Sequence, residues 1–231
     1  MPVSPRPVES RRLYQQVADE IREMIQRGGF EVGTRLPPER DLAQQLGVSR
    51  PSLREALIAL DIEGSVEIRG GSGVYVNTVQ EPPPRRTAAL GESPTELMQA
   101  RSAIEGEIVV LACARIDTAA LARLRDIVEG MREEITRRRS PLEFDRRFHL
   151  MLAELAGNSV MARLVGDLFD ERNSPLSAKI SSRYESTRTW AAALKEHEAI
   201  VHALAARDPL SAQAAMRSHL KASELRWVGR D

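Results

Sequence analysis

The sequence predicts a mainly α protein in two parts, a small N-terminal unit ending in a β-hairpin and a larger all-α antiparallel helical bundle of six to seven helices. Three observations predict it. Apolar residues recur at three- and four-residue spacing through most of the 231 positions. One clear period-two alternation, Val66, Ile68, Val74 and Val76, flanks the turn Gly70-Gly71-Ser72-Gly73. Between the parts, residues 78–93 hold Pro82-Pro83-Pro84 and Arg85-Arg86, the composition of an interdomain linker. The expected domains are therefore 10–77 and 94–228.

The N-terminal elements follow in order. Residues 1–9 read as a loose tail. Leu13, Val17, Ile21, Met24 and Ile25 make a helical stripe that Gly28-Gly29 ends. A second helix follows Pro37-Pro38, turns Leu42 and Leu46 inward and stops at Gly47. Ser49 is a favourable N-cap for a third helix, Pro51 is tolerated in its first turn, and Leu53, Leu57 and Leu60 form its buried stripe. Helix, tight turn, helix and hairpin together make a winged helix-turn-helix domain.

The second part reads as helix throughout, over about 94–115, 118–138, 141–157, 159–183, 187–207 and 209–227. Ser93-Pro94-Thr95-Glu96 and Ser140-Pro141-Leu142-Glu143 each combine an N-cap, an N1 proline and a capping-box glutamate. Asp117 and Asp208 are further N-caps, and Asn173-Ser174-Pro175 kinks or splits the fourth helix.

Composition bounds the function. Hydrophobic residues at 42% suffice for a core, and 29% charged residues with zero formal net charge give no bulk signal for nucleic acid. Residues 1–80 hold 10 Arg and no Lys against 11 Asp and Glu, so a DNA-binding role must rest on where the arginines sit. Cys113, the single cysteine, has no internal disulfide partner and fits a reduced thiol in an apolar run. That run, Ile108–Ala114, is far short of the roughly 20 residues that span a bilayer. The N-terminus shows no apolar export signal, so the expected location is the cytoplasm, with no membrane partner.

With the leucine stripe buried, Arg50, Ser52 and Arg54 point outward from the first turns of the third helix, where a helix in the major groove meets base edges and phosphates. Arg40 stands on the preceding helix, placed to clamp a phosphate, and Gly70-Gly71 let the wing backbone approach a groove. Any one of these arginines alone reads equally well as a solvated charge. Ser49, which starts the reading helix, completes a candidate set of Arg40, Ser49, Arg50, Ser52, Arg54 and Gly71.

The four histidines, His149, His197, His202 and His219, all lie in the helical part. Asp145 and His149 are one helical turn apart, about 40° in projection. His197 and His219 each stand eleven residues from Asp208, so antiparallel helices meeting at that turn put both at one depth, roughly 16 Å from it. His202 falls about 140° around the helix from His197 and faces elsewhere. Three imidazoles and a carboxylate projecting into a bundle are one way to hold a divalent metal; core or surface histidines without a metal are the other reading. Nitrogen-rich ligation suits zinc on prevalence, with nickel, manganese or iron as alternatives.

The run LPPERDLAQQLGVSR-x-x-LREAL over Leu36–Leu57, followed by EIR-x-G-x-G-V-x-V over Glu67–Val76, resembles the GntR superfamily of bacterial transcription regulators. In that family the positions held here by Arg40, Arg50, Ser52, Arg54 and Gly71 contact operator DNA. There are two departures: Pro38 stands where Ser or Ala is frequent, and Gly70 stands where Pro or His is frequent, which implies a weaker or more mobile wing contact. Asp-x-x-Phe-His-x-x-Leu at Asp145–Leu152, Glu-His-x-x-Ile at Glu196–Ile200 and His219-Leu220 are similar to the FadR-type branch, whose C-terminal ligand domain is often called FCD. The resemblance covers about residues 13–226. It implies Asp145, His149, His197 and His219 as metal ligands at the floor of a pocket for a small carboxylate, with Arg101 pairing with the acid. A guanidinium suits that task by its fixed fork of donors, and a surface salt bridge of Arg101 with Glu105 is the competing account. Asn173 and Arg183 are further polar residues near this region, with nothing in the sequence to rank them.

These readings make the chain a ligand-responsive transcription regulator, a repressor by expectation, binding an inverted-repeat operator as a homodimer. Two rivals remain at this stage. One is a DNA-binding regulator whose metal is purely structural and which takes no effector. The other is a zinc-dependent hydrolase, against which stand a filled fourth ligand position and the lack of a carboxylate placed as general base.

Overall fold

Among the residues that the computed structural model describes, 12–77 and 90–228, the chain forms two compact units divided between Ser93 and Pro94, each with its own hydrophobic core. The expected N-terminal tail and most of the expected linker lie outside the described residues.

The first unit contains α1 (Leu13–Gln26), α2 (Glu39–Leu46), α3 (Arg50–Glu63), β1 (Val66–Arg69) and β2 (Gly73–Val76). The inward stripe of α1 is Tyr14, Val17, Ala18, Ile21 and Ile25. Leu13, expected on it, is 47% exposed. At 100° per residue Leu13 lies roughly 80–120° from Ile21 and Ile25, whereas Tyr14 sits between them. Gly47 closes α2 with φ of 66°, the left-handed cap that lets the chain turn sharply into α3. Ser49 then caps α3, its side chain accepting from the Ser52 backbone N–H at 3.2 Å. Leu53, Leu57 and Leu60 are buried against α1 and the hairpin.

The hairpin is antiparallel with Val66 opposite Val76 and Ile68 opposite Val74. Gly71 in its turn has φ of 71°, a conformation a side chain resists. One pairing was not foreseen from the sequence: residues 33–36 run beside β2, with Leu36 N–H donating to Val74 O at 2.8 Å and Val76 N–H to Thr34 O at 2.9 Å. The segment is too short and polar to alternate visibly, so periodicity could not report it.

The second unit holds seven helices among the described residues: α4 (Pro94–Arg115), α5 (Thr118–Thr136), α6 (Leu142–Leu155), α7 (Ser159–Asp170), α8 (Pro175–Tyr184), α9 (Thr187–Ala205) and α10 (Pro209–Val228). The proline signal is realised as a break. After α7 comes a 3-10 turn, Glu171–Asn173, and Ser174 then caps α8 with Pro175 in its first turn. At Ser140 the expected capping box does not form; Pro141 takes the cap position, and Ser140 Oγ accepts only weakly from Leu142 N–H at 3.4 Å.

Helix α10 packs along α4 and α9, α5 packs on α6 and α9, and α4 packs on α6 and α7. The core they enclose includes Ile108, Val109, Leu124, Phe148, Leu152, Ile200, Leu204, Met216 and Leu220, all essentially solvent-free. Between α9 and α10 the turn is tight: Arg207 takes φ of 54°, and Asp208 Oδ1 accepts from the Leu210 and Ser211 N–H groups at 3.1 and 3.0 Å. That turn sets α9 and α10 antiparallel and fixes which residues of each face one another.

Candidate functional site

The inner faces of α6, α9 and α10 converge on one cluster. Asp145 and His149 come from adjacent turns of α6, His197 from α9 and His219 from α10. Ring centroids lie 5.5 Å apart for His149 and His197, 5.4 Å for His149 and His219, and 4.3 Å for His197 and His219. Phe148, fully buried, meets His197 edge-on at 4.7 Å and seats the imidazoles against the core. Loss of such a core ring costs roughly 3–5 kcal/mol.

Each imidazole is oriented through Nδ1. His149 donates to Glu105 of α4, His197 donates to the Ala193 carbonyl at 2.8 Å, and His219 donates to Glu196 at 2.8 Å. Burial opposes the charge on Glu105, but Arg101 and His149 outweigh it and hold the carboxyl at about 2. Glu196 is likewise held at about 2, where burial is overcome by His219 and Arg226. Ionised carboxylates and a carbonyl accept hydrogen bonds and cannot donate them, so Nδ1 carries the hydrogen on all three rings. In the neutral form of each ring, Nε2 is then the atom that carries the lone pair.

The Nε2 atoms of His149 and His197 are buried without a hydrogen-bond partner, although they lie 3.6 and 3.0 Å from Asp145 Oδ1. An imidazole lone pair facing a carboxylate oxygen at that range is repulsive unless a proton or a cation stands between them. Burial also opposes ionisation of Asp145, yet the two histidines hold its pKa well below the usual carboxylate range. His219 is pushed down to about 3 by burial and by His197, so it is neutral at pH 7. For His149 burial lowers the pKa, but Glu105 outweighs it and the net shift is upward. One donor atom from each of the four residues falls within 4.8 Å of the others. Donors on a single zinc ion are at most about 4.2 Å apart, from bonds of about 2.1 Å, so slight closure suffices. The cluster can hold a metal ion.

Asp145, His197 and His219 form one wall of a cavity of about 60 Å³, against roughly 10–15 Å³ for a single water. Arg172, Tyr184, Trp190, Arg226 and Trp227 line the rest. The sequence leaves open whether Asn173 and Arg183 line a pocket; both are exposed and neither lines the cavity, whereas their neighbours Arg172 and Tyr184 do. The reason is helix phase around the Pro175 break, which spacing alone does not resolve. Arg101 is also off the wall. It is only 2% exposed, its Nε donates to Glu105 Oε1 at 2.6 Å, and its guanidinium lies 4.8 Å from the Phe169 ring. The Arg101–Glu105 pair thus forms, buried and joined to His149 instead of exposed on the surface. His202 is exposed, away from the cluster.

Glu105 and Glu196 were not singled out from the sequence. Both carried a signal: Glu105 is one turn from Arg101, and Glu196 immediately precedes His197 in the quoted motif.

In the first unit the predicted set gathers around the start of α3 and the wing turn. Arg40 is 82% exposed and pairs with its neighbour Asp41 at 3.1 Å. Ser49 and Ser52 hydroxyls bond one another at 2.8 Å. Arg50 is half-buried at the first position of α3, and Gly71 is exposed at the tip of the wing. Arg54 departs from the outward expectation. It is 12% exposed and bonded through Nε and Nη2 to Glu39 of α2, at 3.1 and 2.5 Å. No helix of the described residues is long and apolar enough to cross a membrane.

Comparison with known proteins places these two units. The bacterial regulatory proteins of the gntR family match residues 13–76, and the FCD domain matches residues 96–222. The Exu regulon transcriptional regulator of Escherichia coli K12 is 37% identical over 225 residues, covering 94% of this chain and 85% of that protein. The Uxu operon transcriptional regulator of the same strain is 32% identical over 219 residues, covering 92% and 85%. Among solved structures, E. coli McbR/YncC matches with a TM-score of 0.51 at 20% identity, covering 91% of this chain and 94% of that one, a likeness of fold.

Proposed function

This chain belongs to the gntR family of bacterial regulatory proteins and carries an FCD domain behind its winged helix-turn-helix; on that premise we propose that it is a metal-dependent, acid-responsive repressor. The chain is a DNA-binding transcription regulator, not an enzyme. The finer reading assigns Arg40, Ser49, Arg50, Ser52, Arg54 and Gly71 to operator DNA. Two copies of the chain, working in the cytoplasm, would read the two halves of an inverted repeat.

The observation that carries the effector half is the pair of buried, unpartnered Nε2 atoms of His149 and His197 facing Asp145, beside a cavity of about 60 Å³. Asp145, His149, His197 and His219 would hold the metal, zinc on prevalence, with nickel, manganese or iron as alternatives. A divalent ion there supplies an electrophilic anchor for the oxygens of a small carboxylate. Arg101 would add a second cation behind the cavity wall, where its Nη2 is buried without a hydrogen-bond partner among the described residues.

An acid that binds one arrangement of the dimer better than another shifts operator affinity by its differential binding. A coupling of about 1–3 kcal/mol corresponds to a change of roughly 5–150-fold. The test is to select operator sequences from a random duplex pool, then measure affinity at fixed salt while titrating small hydroxy acids and sugar acids against zinc-loaded protein. Release of DNA that requires both zinc and acid is the expected outcome. Acids that bind the protein yet leave operator affinity unchanged would sink the effector reading and favour a purely structural metal.

A further inference from the structure

Three arginines surround the metal-ligand cluster, and their hydrogen bonds distinguish them. Arg226 lines the cavity, but its fork is spent: Nη1 and Nη2 donate to Glu196 at 2.6 and 2.8 Å, and Nη2 also donates to Ser223 at 2.8 Å. Arg101 lies off the wall, with Nε on Glu105. Arg172, on the 3-10 turn between α7 and α8, lines the cavity and still has donors to give.

Its Nη2 donates to Glu185 at 2.7 Å, its Nη1 lies 3.7 Å from Asp145 Oδ2, and its Nε is buried with no hydrogen-bond partner. Glu185 also accepts from Ser181 Oγ at 2.5 Å and from Trp190 Nε1 at 3.3 Å, so it is held in place and anchors the guanidinium without using all of it. Trp227 and Phe169 flank the same guanidinium, 4.4 and 5.4 Å from their ring centroids, and fix its plane. A rigid, desolvated guanidinium with unmet N–H groups, beside a cluster that can hold a metal, is the arrangement that receives a carboxylate.

We propose that Arg172 is the carboxylate receptor of this cavity: it takes the acid group of the effector through the N–H groups that Glu185 leaves unmet, and so makes the site selective for acids over their neutral analogues. The assignment rests on the effector reading above and adds to it which side chain recognises the charge.

Both tryptophans of the chain, Trp190 and Trp227, line the cavity, so the intrinsic fluorescence of the whole protein reports its occupancy. Zinc-loaded full-length protein is titrated with glycolate, tartrate and glucuronate, each beside its neutral amide. Zinc affinity is read separately by competition with a chromophoric chelator. The parent is expected to prefer an acid over its amide by about tenfold or more, the worth of a charge-assisted hydrogen bond. Arg172→Gln should cut that preference by about tenfold, leaving the share that the metal supplies, while keeping zinc, since removing a cation 3.7 Å from Asp145 favours metal binding. Arg172→Lys keeps the charge beside Glu185 but loses the planar fork, and should retain only part of the preference. It carries the test alone if the Gln variant does not fold. A variant that discriminates acid from amide as the parent does overturns the assignment and leaves the effector reading standing. A parent that binds none of the acids overturns both.

Discussion

The two candidate sites hold their side chains in opposite states. Around the start of α3, Arg40 is exposed and Ser49 and Gly71 lie open on the surface. In the bundle, Asp145, His149, His197 and His219 are buried or nearly so, and each imidazole is fixed by a second partner on Nδ1. The difference follows from what each would bind. A DNA duplex brings its own dense charge and a broad surface, so long mobile side chains can adapt to it when it arrives. A single ion offers a few bonds in fixed directions, and buried donors must be aligned beforehand. Arg54 crosses the line between the two: it belongs to the DNA-facing set yet is fixed to Glu39.

The largest effect that sharpens this contrast is removal of a ligand. His219→Ala takes one of the four donors from a cluster whose members lie within 4.8 Å. Changing a supporting residue alone typically weakens metal binding by about 10–100-fold, so loss of a ligand should exceed about 100-fold. Competition with a chromophoric chelator reads this directly. Operator affinity without acid should stay near the parent's, because the residues proposed to contact DNA belong to a unit with its own core. Equal loss of metal and DNA binding would show that the two units do not act separately.

A smaller effect tests the claim that orientation was built in beforehand. Glu196→Gln replaces an acceptor-only carboxylate with a group that can present a donor to His219 Nδ1, favouring the wrong tautomer. Metal affinity should fall about 10–100-fold, with His219 nitrogen chemical shifts reporting the tautomer. Glu105→Gln probes His149 in the same way, but it also strips Arg101 of its buried partner, a change that costs about 3–5 kcal/mol. Glu196→Gln also weakens the pair with Arg226, but that pair is partly solvent-exposed where Arg101–Glu105 is buried, so Glu196 is the cleaner site. An unchanged chelator competition in Glu196→Gln would show that packing alone aims the ring.

The contrast also explains what the sequence could reveal. The winged unit is built from local signals: Gly47 and Ser49 mark the turn and cap of the reading helix, and Val66 and Val76 mark a hairpin, all within a short stretch. The approach of His197 and His219 was legible because both are counted from one turn at Asp208, and their rings lie 4.3 Å apart. Partners reached across the bundle were not legible. Nothing in spacing places Glu105 of α4 against His149 of α6, or decides that Arg172 and not Asn173 faces the cavity. Those depend on how helices rotate about their axes when they pack, and the break at Pro175 resets that phase. The ion pair of Arg54 with Glu39 is of the same kind, since α2 and α3 are separate helices whose relative tilt selects it.

The smallest expected effect lies on the DNA-facing side, where it divides contacts that position from contacts that read. Arg40, 82% exposed, is free of any buried partner and suits a phosphate, so Arg40→Ala should weaken binding to all duplexes by a similar few-fold factor. The slope of log affinity against log salt should fall by about one, the share of a single phosphate contact. Arg50 starts α3, where side chains meet base edges, so Arg50→Ala should relax preference at one operator position by about 1–3 kcal/mol. Titrations of selected and scrambled duplexes at several salt concentrations separate the two. A change of sequence preference in Arg40→Ala, with the salt slope unaltered, would make Arg40 a reader of bases and assign positioning to the half-buried side chains instead.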